Sequence, residues 1–335
     1  MKVITIEEHI TSEDIMKDLL KKQMDGGELN PDRMKFFQER AFVGGRLTDV
    51  LNERIPFMDK TGIDMQVLSY INPTDGANIP NDIKTENCIK ANNYLKSVID
   101  KYPDRFSAFA CLPLWNVDAS VKELERCVNE LGFKGALVTG KVDGHFLDEK
   151  EYFPIFQKAE ELDVPIHFHP SMPAKEIHDY YYASHDGSWS DEIANQFSSA
   201  AFGWHLDIGI QVVRMILTGI FDKLPNLKLI TGHWGEGIIE MLDRLDYMIP
   251  KSMTGFKKNI SEYYRENIYV TPSGIESSIN LEAVTKYMGA DHIIWAVDYP
   301  YIRNETVVDF LMNSDLAEEE KELISHRNAE KLLKL

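Results

Sequence analysis

The feature that most constrains this chain is a repeated alternation of short apolar runs with longer stretches of helical spacing. The runs are rich in β-branched and apolar residues, as expected for parallel strands that are buried on both faces. There are eight of them: Val3–Glu7, Met65–Tyr70, Phe106–Leu114, Gly135–Thr139, Pro165–His169, Lys228–His233, Ile268–Pro272 and Ile293–Asp298. Because this strand–helix order fits a closed barrel better than an open sheet, the sequence predicts an α/β fold, the (β/α)8 TIM barrel.

The stretches between the runs have the spacing and the end signals of helices. Glu86–Lys101 ends shortly before Pro103, and Val121–Leu131 ends at Gly132, a residue type that commonly follows the end of a helix. These two are expected to connect successive strands. The C-terminal stretch Ala317–Leu335 is predicted to be a helix as well.

Two segments are too long to be simple connections between a strand and its helix. Thr11–Glu53 follows the first strand and Ser171–Asp207 follows the fifth. We expect both to be insertions at the mouth of the barrel, because long connections of this kind usually carry function. The stretch Tyr180–Trp189 in the second insertion matches no motif that assigns it a role. No repeat or linker divides the chain, which predicts a single domain over residues 1–335.

The net charge restricts the partners of the chain. The 335 residues include 54 acidic and 36 basic side chains, and the formal net charge is -18. A field of that sign repels nucleic-acid phosphates and anionic lipid headgroups, so neither nucleic acid nor a membrane is expected as a partner. An anionic substrate would need a local positive centre, either a metal ion or converging arginines.

Cysteine content and the N-terminal pattern favour a cytoplasmic location. The three cysteines, Cys88, Cys111 and Cys127, have neither the even number of a disulfide framework nor the CxxC spacing of a thiolate zinc site. Glu7 and Glu8 interrupt the N-terminal apolar stretch, which therefore lacks the apolar core of a signal peptide. We expect a protein of the reducing cytoplasm.

Polar side chains occupy the ends of four predicted strands, and in a (β/α)8 barrel these ends form the active site. The motifs are EEH at 7–9, HFHP at 167–170, HWGE at 233–236 and DYP at 298–300. Alternation along a strand turns Glu7 and His9 to one face and Glu8 to the other, and it pairs His167 with His169. Carboxylate and imidazole groups that converge in this way suit a zinc or manganese ion.

Five motifs, taken together, resemble the metal-dependent decarboxylase branch of the amidohydrolase superfamily. They are IEEHI, GFKGALVTGKVDGHFLD, ELDVPIHFHP, LKLITGHWGEG and AVDYP, and they extend from the first predicted strand to the last. The branch includes γ-resorcylate, 2,3-dihydroxybenzoate, 5-carboxyvanillate and aminocarboxymuconate semialdehyde decarboxylases. The resemblance implies non-oxidative decarboxylation of a small aromatic acid of the 2,6- or 2,3-dihydroxybenzoate type. It also implies one divalent metal ion, Mn2+ or Zn2+, and a homodimer or homotetramer.

The same resemblance implies roles for individual residues. The implied metal ligands are Glu7, His9, His169 and Asp298. The implied catalytic residues are Asp298, His233, Glu236 and Arg244. The implied substrate-binding residues are Arg54, His169 and Tyr299. His167 is left as an inward-facing neighbour of the ligands.

The chemistry explains why these residue types are needed. Loss of CO2 from a phenolic acid would leave a high-energy aryl carbanion unless the ring carbon is protonated first. Asp298 is expected to donate that proton, and the pair formed by His233 and Glu236 is expected to supply it. A metal that binds the carboxylate and an ortho hydroxyl would orient the substrate and act as a Lewis acid.

Two other functions use the same residues. In a hydrolase, a metal-bound hydroxide would attack a lactone, ester or amide with Asp298 as general base. A binuclear hydrolase fits less well, since Glu7 replaces the first histidine of many such enzymes and Lys141 has no evident second-metal partner. The third reading is a catalytically inactive barrel kept as a binding or scaffold protein, which the fold alone would permit.

Overall fold

The computed structural model describes residues 1–15, 45–71, 79–142 and 144–335, and it has an α/β fold built mainly on parallel strands. In these residues the strands are β1 (Ile4–Ile10), β2 (Met65–Tyr70), β3 (Phe106–Ala108), β4 (Ala110–Cys111), β5 (Ala136–Thr139), β6 (Lys141–Val142), β7 (His145–Phe146), β8 (Ile166–His169), β9 (Leu229–Thr231) and β10 (Ile268–Val270). Each of the first seven predicted runs overlaps at least one of these strands.

The parallel strands form two sheets that are joined at both sides. One sheet has the order β1-β2-β3 and the other β10-β9-β8-β5-β4, while β6 and β7 form a separate antiparallel pair. On one side only Phe109 separates β3 from β4, and its N–H donates to the carbonyl of Leu68 at 2.9 Å. On the other side, single parallel bridges link Ile6 to Ala296 and Val270 to Ile293. The eighth predicted run, Ile293–Asp298, therefore lies where the eighth strand was expected, but it is joined to its neighbours by two single bridges and not by a regular ladder of hydrogen bonds.

Helices follow most strands. The α-helices span Ile55–Thr61, Asn81–Lys101, Val117–Asn129, Phe153–Glu161, Lys175–Ile177, Asp191–Ser198, Gly203–Leu217, Ile220–Lys223, Leu242–Met248, Lys251–Thr254, Ile260–Asn267, Ser278–Met288, Val307–Met312, Glu318–Glu322 and Asn328–Leu333. The π-helical turns span Val50–Arg54, His178–Tyr182 and Leu323–Arg327. The 3₁₀ turns span Lys150–Tyr152, His233–Gly235, Ile239–Met241 and Ala290–His292.

Local capping chemistry sets several of the boundaries. The helix predicted from Val121 begins four residues earlier, at Val117, because the side chain of Asn116 accepts the N–H of Ala119 at 3.1 Å. The helix Ile260–Asn267 begins with a capping box, in which the Glu262 carboxylate accepts the backbone N–H of Asn259 at 2.7 Å.

The core explains where the polar site lies. One apolar cluster combines residues of the strands with two residues of the last helix: Ile4, Ile6, Val67, Phe109, Ile230, Tyr269, Ile294, Ala296, Ala329 and Leu333. A larger apolar cluster lies between the strands and the helices. The polar residues of the site follow the apolar residues along each strand, so they gather at the carboxyl ends.

The two predicted insertions are described to different extents. Most of Thr11–Glu53 lies outside the described residues. Ser171–Asp207 contains short helices and leads into the helix Gly203–Leu217. Among the helices in the described ranges, none is both long enough and apolar enough to cross a bilayer.

Candidate active site

Three side chains from different strand ends come together as a possible metal centre. His9, His169 and Asp298 each offer a ligand atom, and these atoms all lie within 4.8 Å of one another. Nε2 of His9 is 3.1 Å from Oδ1 of Asp298. Nδ1 of His169 is 2.9 Å from the carbonyl of Pro170. Because that carbonyl accepts a hydrogen bond from the N–H at Nδ1, Nε2 of His169 is left as the ligand atom.

The donor set fits a divalent metal ion. Oε1 of Glu7 is a buried atom with no hydrogen-bond partner in the described structure, and Nε2 of His9 and Oδ1 of Asp298, although 3.1 Å apart, also form no hydrogen bond there. Buried polar atoms are seldom left unpaired, and unpaired ones call for an explanation such as a bound ion. Imidazole and carboxylate ligands are those that zinc and manganese accept. Burial also lowers the pKa of the His169 imidazole, as a neutral metal ligand requires.

Glu7 lies beside this group and not within it. Its Oε2 accepts hydrogen bonds from the hydroxyl groups of Thr271 and Ser273, at 3.0 and 2.5 Å. Nε2 of His167 is 3.6 Å from the same oxygen. Burial raises the pKa of Glu7, which is fully enclosed. The carboxylate is therefore oriented by two hydroxyl groups, with Oε1 left without a hydrogen-bond partner.

A bulge in β1 sets the directions of its three polar side chains. The pairing with β2 shifts between Thr5 and Glu8, and Glu7 has a φ of 66°. Glu7 and His9 face the site as the alternation predicts, and Glu8 turns away from it. The carboxylate of Glu8 accepts from the side chain of Gln66 at 2.9 Å and from the N–H of Val297 at 3.0 Å.

A histidine–glutamate pair stands next to the metal group. Nδ1 of His233 donates to Oε1 of Glu236, 2.9 Å away. Burial alone would lower the pKa of His233, but the carboxylates of Glu236, Glu7 and Asp298 outweigh it and raise the pKa to about 9. Burial acts to raise the pKa of Glu236, and the two histidines that contact it, His233 and His205, lower it overall.

Four carboxylate and imidazole residues of the site have left-handed backbone conformations, as does Ser273 with a φ of 46°. The φ angles are 66° at Glu7, 48° at His233, 57° at Glu236 and 63° at Asp298. Such conformations cost about 1–3 kcal/mol each in residues other than glycine, and they concentrate at functional sites.

Comparisons with known proteins identify the family. Residues 46–335 match the family described as Amidohydrolase. The chain belongs to the amidohydrolase family. The decarboxylase orsB of Emericella nidulans is 34% identical over 301 residues, which cover 88% of this chain and 88% of that protein. A γ-resorcylate decarboxylase of a Polaromonas species is 31% identical over 99% of this chain and 98% of its own length.

A solved structure agrees with these relatives. A Polaromonas dihydroxybenzoic acid decarboxylase with bound manganese and the inhibitor 2-nitroresorcinol has a TM-score of 0.84 at 29% identity, covering 100% of this chain and 97% of that one. Within the family, these similarities identify the metal-dependent decarboxylase branch, which confirms the branch that the motifs resemble.

Two of the residues expected to bind substrate, Arg54 and Tyr299, are buried inside this amidohydrolase. Arg54 is fully buried; it donates to Gln66 Oε1 at 2.9 Å and to the carbonyl of His9. Tyr299 is also fully buried, with the Arg54 guanidinium 4.6 Å from the centre of its ring. Both side chains are fully enclosed, and the assignment of substrate contact to them stays a prediction. Arg54 contacts the backbone of β1 at His9, and Tyr299 packs against Arg54.

Arg244, expected to be catalytic, lies on the helix Leu242–Met248 of this amidohydrolase and is exposed. Among the described residues, no hydrogen bond or ion pair joins it to His233 or Glu236, and its catalytic role stays a prediction. Sequence reasoning also missed Thr271 and Ser273, which bind Glu7, and His205, which binds Glu236. Threonine and serine just after β10 occupy a strand end, so their position could have suggested them. His205 lies in an insertion without a motif, and nothing in the sequence pattern pointed to it.

Proposed function

We propose that this protein is a metal-dependent decarboxylase that removes CO2, without oxidation, from a benzoate carrying a hydroxyl ortho to the carboxylate. The observation that carries the proposal is the group formed by His9, His169 and Asp298 beside the pair formed by His233 and Glu236. Relatives named γ-resorcylate decarboxylase, similar over 99% of this chain, favour 2,6-dihydroxybenzoate as the substrate type. They also favour decarboxylation over hydrolysis.

The scaffold proposed for this chemistry is one (β/α)8 barrel domain over residues 1–335, with insertions after the first and fifth strands. The bridges at Ile6 and Val270 support closure of the ring, because they join the two sheets through the segment 293–297. Closure brings the carboxyl ends of the first, fifth, sixth and eighth strands to one mouth.

The residues that would hold the metal are His9, His169 and Asp298, with Glu7 as the fourth. Bound there, manganese or zinc supplies Lewis-acid polarisation of the carboxylate and the ortho oxygen of the substrate. Manganese is the metal in the homologous structure, and the two imidazoles keep zinc open.

The protein's own residues would handle the proton. Asp298 is the carboxyl group at the eighth strand end, and its Oδ1 has no hydrogen-bond partner. We assign it the transfer of a proton to the ring carbon that bears the carboxylate. His233 faces Asp298 and Glu7, whose charges raise its pKa. It is therefore assigned to hold the proton that Asp298 donates, with Glu236 stabilising its charged form.

Release of CO2 from positional isomers tests the function. We expect turnover of 2,6- or 2,3-dihydroxybenzoate by the metal-loaded protein and no comparable turnover of 4-hydroxybenzoate, which cannot chelate a metal through adjacent oxygens. Positioning of this kind contributes at most about 7–11 kcal/mol to lowering the barrier. Equal turnover of 2-hydroxy- and 4-hydroxybenzoate would refute the mechanism. Hydrolysis of a lactone panel without CO2 release would support the hydrolase alternative.

Metal analysis tests the inactive-barrel alternative. Elemental analysis of the purified protein is expected to give one divalent ion per chain, and anomalous scattering should place it beside His9, His169 and Asp298. A protein that takes up no ion there, even after exposure to manganese and zinc, would be a scaffold and not an enzyme of this kind.

We also propose a homodimer or homotetramer in the cytoplasm. The second insertion has exposed large apolar side chains, among them Tyr180, Tyr181 and Phe202. Tyr247 and Met253, which follow the sixth strand, are exposed as well. Exposed apolar surface of this kind is typical of subunit contacts. Sedimentation equilibrium would measure the oligomeric state. All three cysteines of the chain are free, which supports a reducing compartment.

A further inference from the structure

The second insertion delivers a histidine to the carboxylate of Glu236. Nδ1 of His205 is 2.8 Å from Oε2 of Glu236, and Nδ1 of His233 is 2.9 Å from Oε1. Each carboxylate oxygen therefore faces one imidazole nitrogen. The side chain of Glu236 is fully buried, whereas those of His205 and His233 are 17% and 11% exposed. The two rings lie side by side, with centroids 4.1 Å apart.

The other contacts of His205 place a hydrogen on the nitrogen that faces Glu236. The indole N–H of Trp204 points to Nε2 of His205 at 3.1 Å, so in the neutral ring Nε2 accepts and Nδ1 carries the hydrogen. The carbonyl of Ala200 lies 3.0 Å from the same Nε2 and would accept from it if the ring were charged. In both forms, Nδ1 of His205 donates to Glu236.

His205 lies on the helix Gly203–Leu217, and the close approach of this helix to Glu236 depends on Gly209, one turn after His205. A Cβ at Gly209 would lie 2.7 Å from the backbone oxygen of Glu236 and 2.9 Å from Cδ1 of Ile238. The helix Gly203–Leu217 therefore packs on the Glu236 turn at a distance that only glycine permits. Further along the same helix, Gln211 accepts the N–H of Leu147 at 2.9 Å, which anchors it to the neighbouring loop.

We propose that His205 is a positioning residue of this active site, which holds Oε2 of Glu236 and thereby fixes the ring orientation and tautomer of His233. With both oxygens of Glu236 engaged, the carboxylate cannot rotate away from Nδ1 of His233. Nε2 of His233 then remains free for the proton that passes toward Asp298. The inference rests on the proposed function, because it concerns the proton-handling pair of that reaction.

Kinetics of matched variants test the inference. His205→Phe keeps a ring but removes the N–H, and His205→Asn restores an N–H near the position of Nδ1. We expect His205→Phe to lower kcat about 10- to 100-fold, the usual effect of losing a partner that orients a functional group, with KM and metal content unchanged. His205→Asn should recover most of the loss. His145→Phe, at an exposed histidine away from the site, is the control for histidine loss.

Gly209→Ala should disrupt the same contact between His205 and Glu236 in a second way, by moving the helix away from Glu236. Alanine is the better helix former, so a loss of activity in this variant would come from displacement of the helix and not from weakened helicity. We expect kcat to fall as in His205→Phe, and the double variant to be no worse than the worse single one. An unchanged kcat in His205→Phe, or a His205→Asn variant as slow as His205→Phe, would overturn the proposal.

A measurement that does not use activity separates this inference from the proposed function. Long-range 1H–15N spectra of histidine-labelled, zinc-loaded protein, recorded above pH 9 where the ring of His233 is neutral, report which of its nitrogens carries the hydrogen. We expect Nδ1–H in the wild type and a mixture of tautomers in His205→Phe. Identical spectra for His233 in both proteins would refute the role of His205. A wild type that releases no CO2 from any ortho-hydroxybenzoate would instead refute the proposed function.

Discussion

At the scale of single residues, the site combines unpaired ligand atoms with tightly held neighbours. Oε1 of Glu7 and Oδ1 of Asp298 have no hydrogen-bond partner, whereas both oxygens of Glu236 are engaged. The unpaired atoms are the ones assigned to bind metal or substrate, and the engaged carboxylate is the one assigned to support His233. Carboxylate side chains therefore have two roles in this site, ligand and support, and the number of hydrogen bonds that each one accepts distinguishes the two roles.

Replacement of His233 by asparagine tests the proton-handling assignment. His233→Asn should lower kcat for decarboxylation about 10²- to 10⁴-fold, the usual range for a lost general acid or base. Metal content should be unchanged, because His233 is outside the group of His9, His169 and Asp298. Steady-state kinetics with elemental analysis measures both quantities. Loss of the metal in this variant would make His233 a ligand and refute the assignment.

The raised pKa of His233 also predicts how stability depends on pH in the metal-free protein. Its folded-state pKa of about 9 exceeds the ordinary value of 6.5. Its contribution to stability is therefore complete below pH 6.5 and is lost as the pH rises through about 9. The free energy of unfolding should fall by about 1–3 kcal/mol for this reason over that range.

Urea unfolding of the wild type and of His233→Asn across this pH range measures the contribution. Glu8, whose burial raises its pKa to about 8, makes stability fall with pH in both proteins and cancels in the difference between them. The difference then reports His233 together with Glu7 and Glu236, whose pKa values His233 lowers. Parallel pH curves for the two proteins would contradict the prediction.

At the scale of elements, the apolar runs located the strands, and capping side chains set the helix ends. Seven predicted runs overlap strands because a buried parallel strand must be apolar on both faces. The run Ile293–Asp298 has the same pattern but forms only two bridges, since its other backbone bonds go elsewhere; the N–H of Val297, for example, donates to Glu8. Local sequence patterns do not encode such side-chain contacts.

The same limit applies to single residues of the site. The resemblance implies a contact between Arg54 and substrate, and the pattern alone did not predict that Arg54 also donates to Gln66 and to the carbonyl of His9. The sequence did not predict the role of His205, because its contact with Glu236 depends on how closely the helix Gly203–Leu217 packs against the Glu236 turn at Gly209. Both outcomes follow from tertiary packing and not from periodicity.

An N-cap provides a test of element stability that leaves the site intact. Asn116 caps the helix Val117–Asn129 by accepting the N–H of Ala119. Asn116→Ala should lower the free energy of unfolding by about 1 kcal/mol, and Asn116→Asp should keep most of it. Urea denaturation measures the change, and CO2 release should be unaffected. Equal stability of the two variants would show that the cap does not set the start of this helix.

At the scale of the whole molecule, the protein carries a net charge of -18 and yet is proposed to bind an anion. The exposed acidic residues repel a benzoate during its approach, while the metal attracts it only at short range. Added salt screens the long-range repulsion, since the Debye length falls from about 30 Å at 0.01 M to about 8 Å at 0.15 M ionic strength. The metal site, enclosed in the mouth, is screened less.

We therefore expect KM for a hydroxybenzoate to fall as ionic strength rises over this range, with kcat nearly constant. Initial rates at several salt concentrations measure the effect. The inhibition constant of a neutral ligand such as resorcinol should not change, and it serves as the control. A KM that rises with salt would show that attraction by local cations dominates the encounter.

The left-handed backbone at Glu7, His233, Glu236 and Asp298 has a consequence for how such a protein changes over generations. Glycine adopts this conformation without strain, so replacing one of these residues by glycine would relieve about 1–3 kcal/mol while removing a functional side chain. Loss of the chemistry would therefore tend to stabilise the fold. A protein of this fold can therefore drift into a stable, inactive descendant, and only selection for turnover keeps its four strained carboxylate and imidazole residues in place.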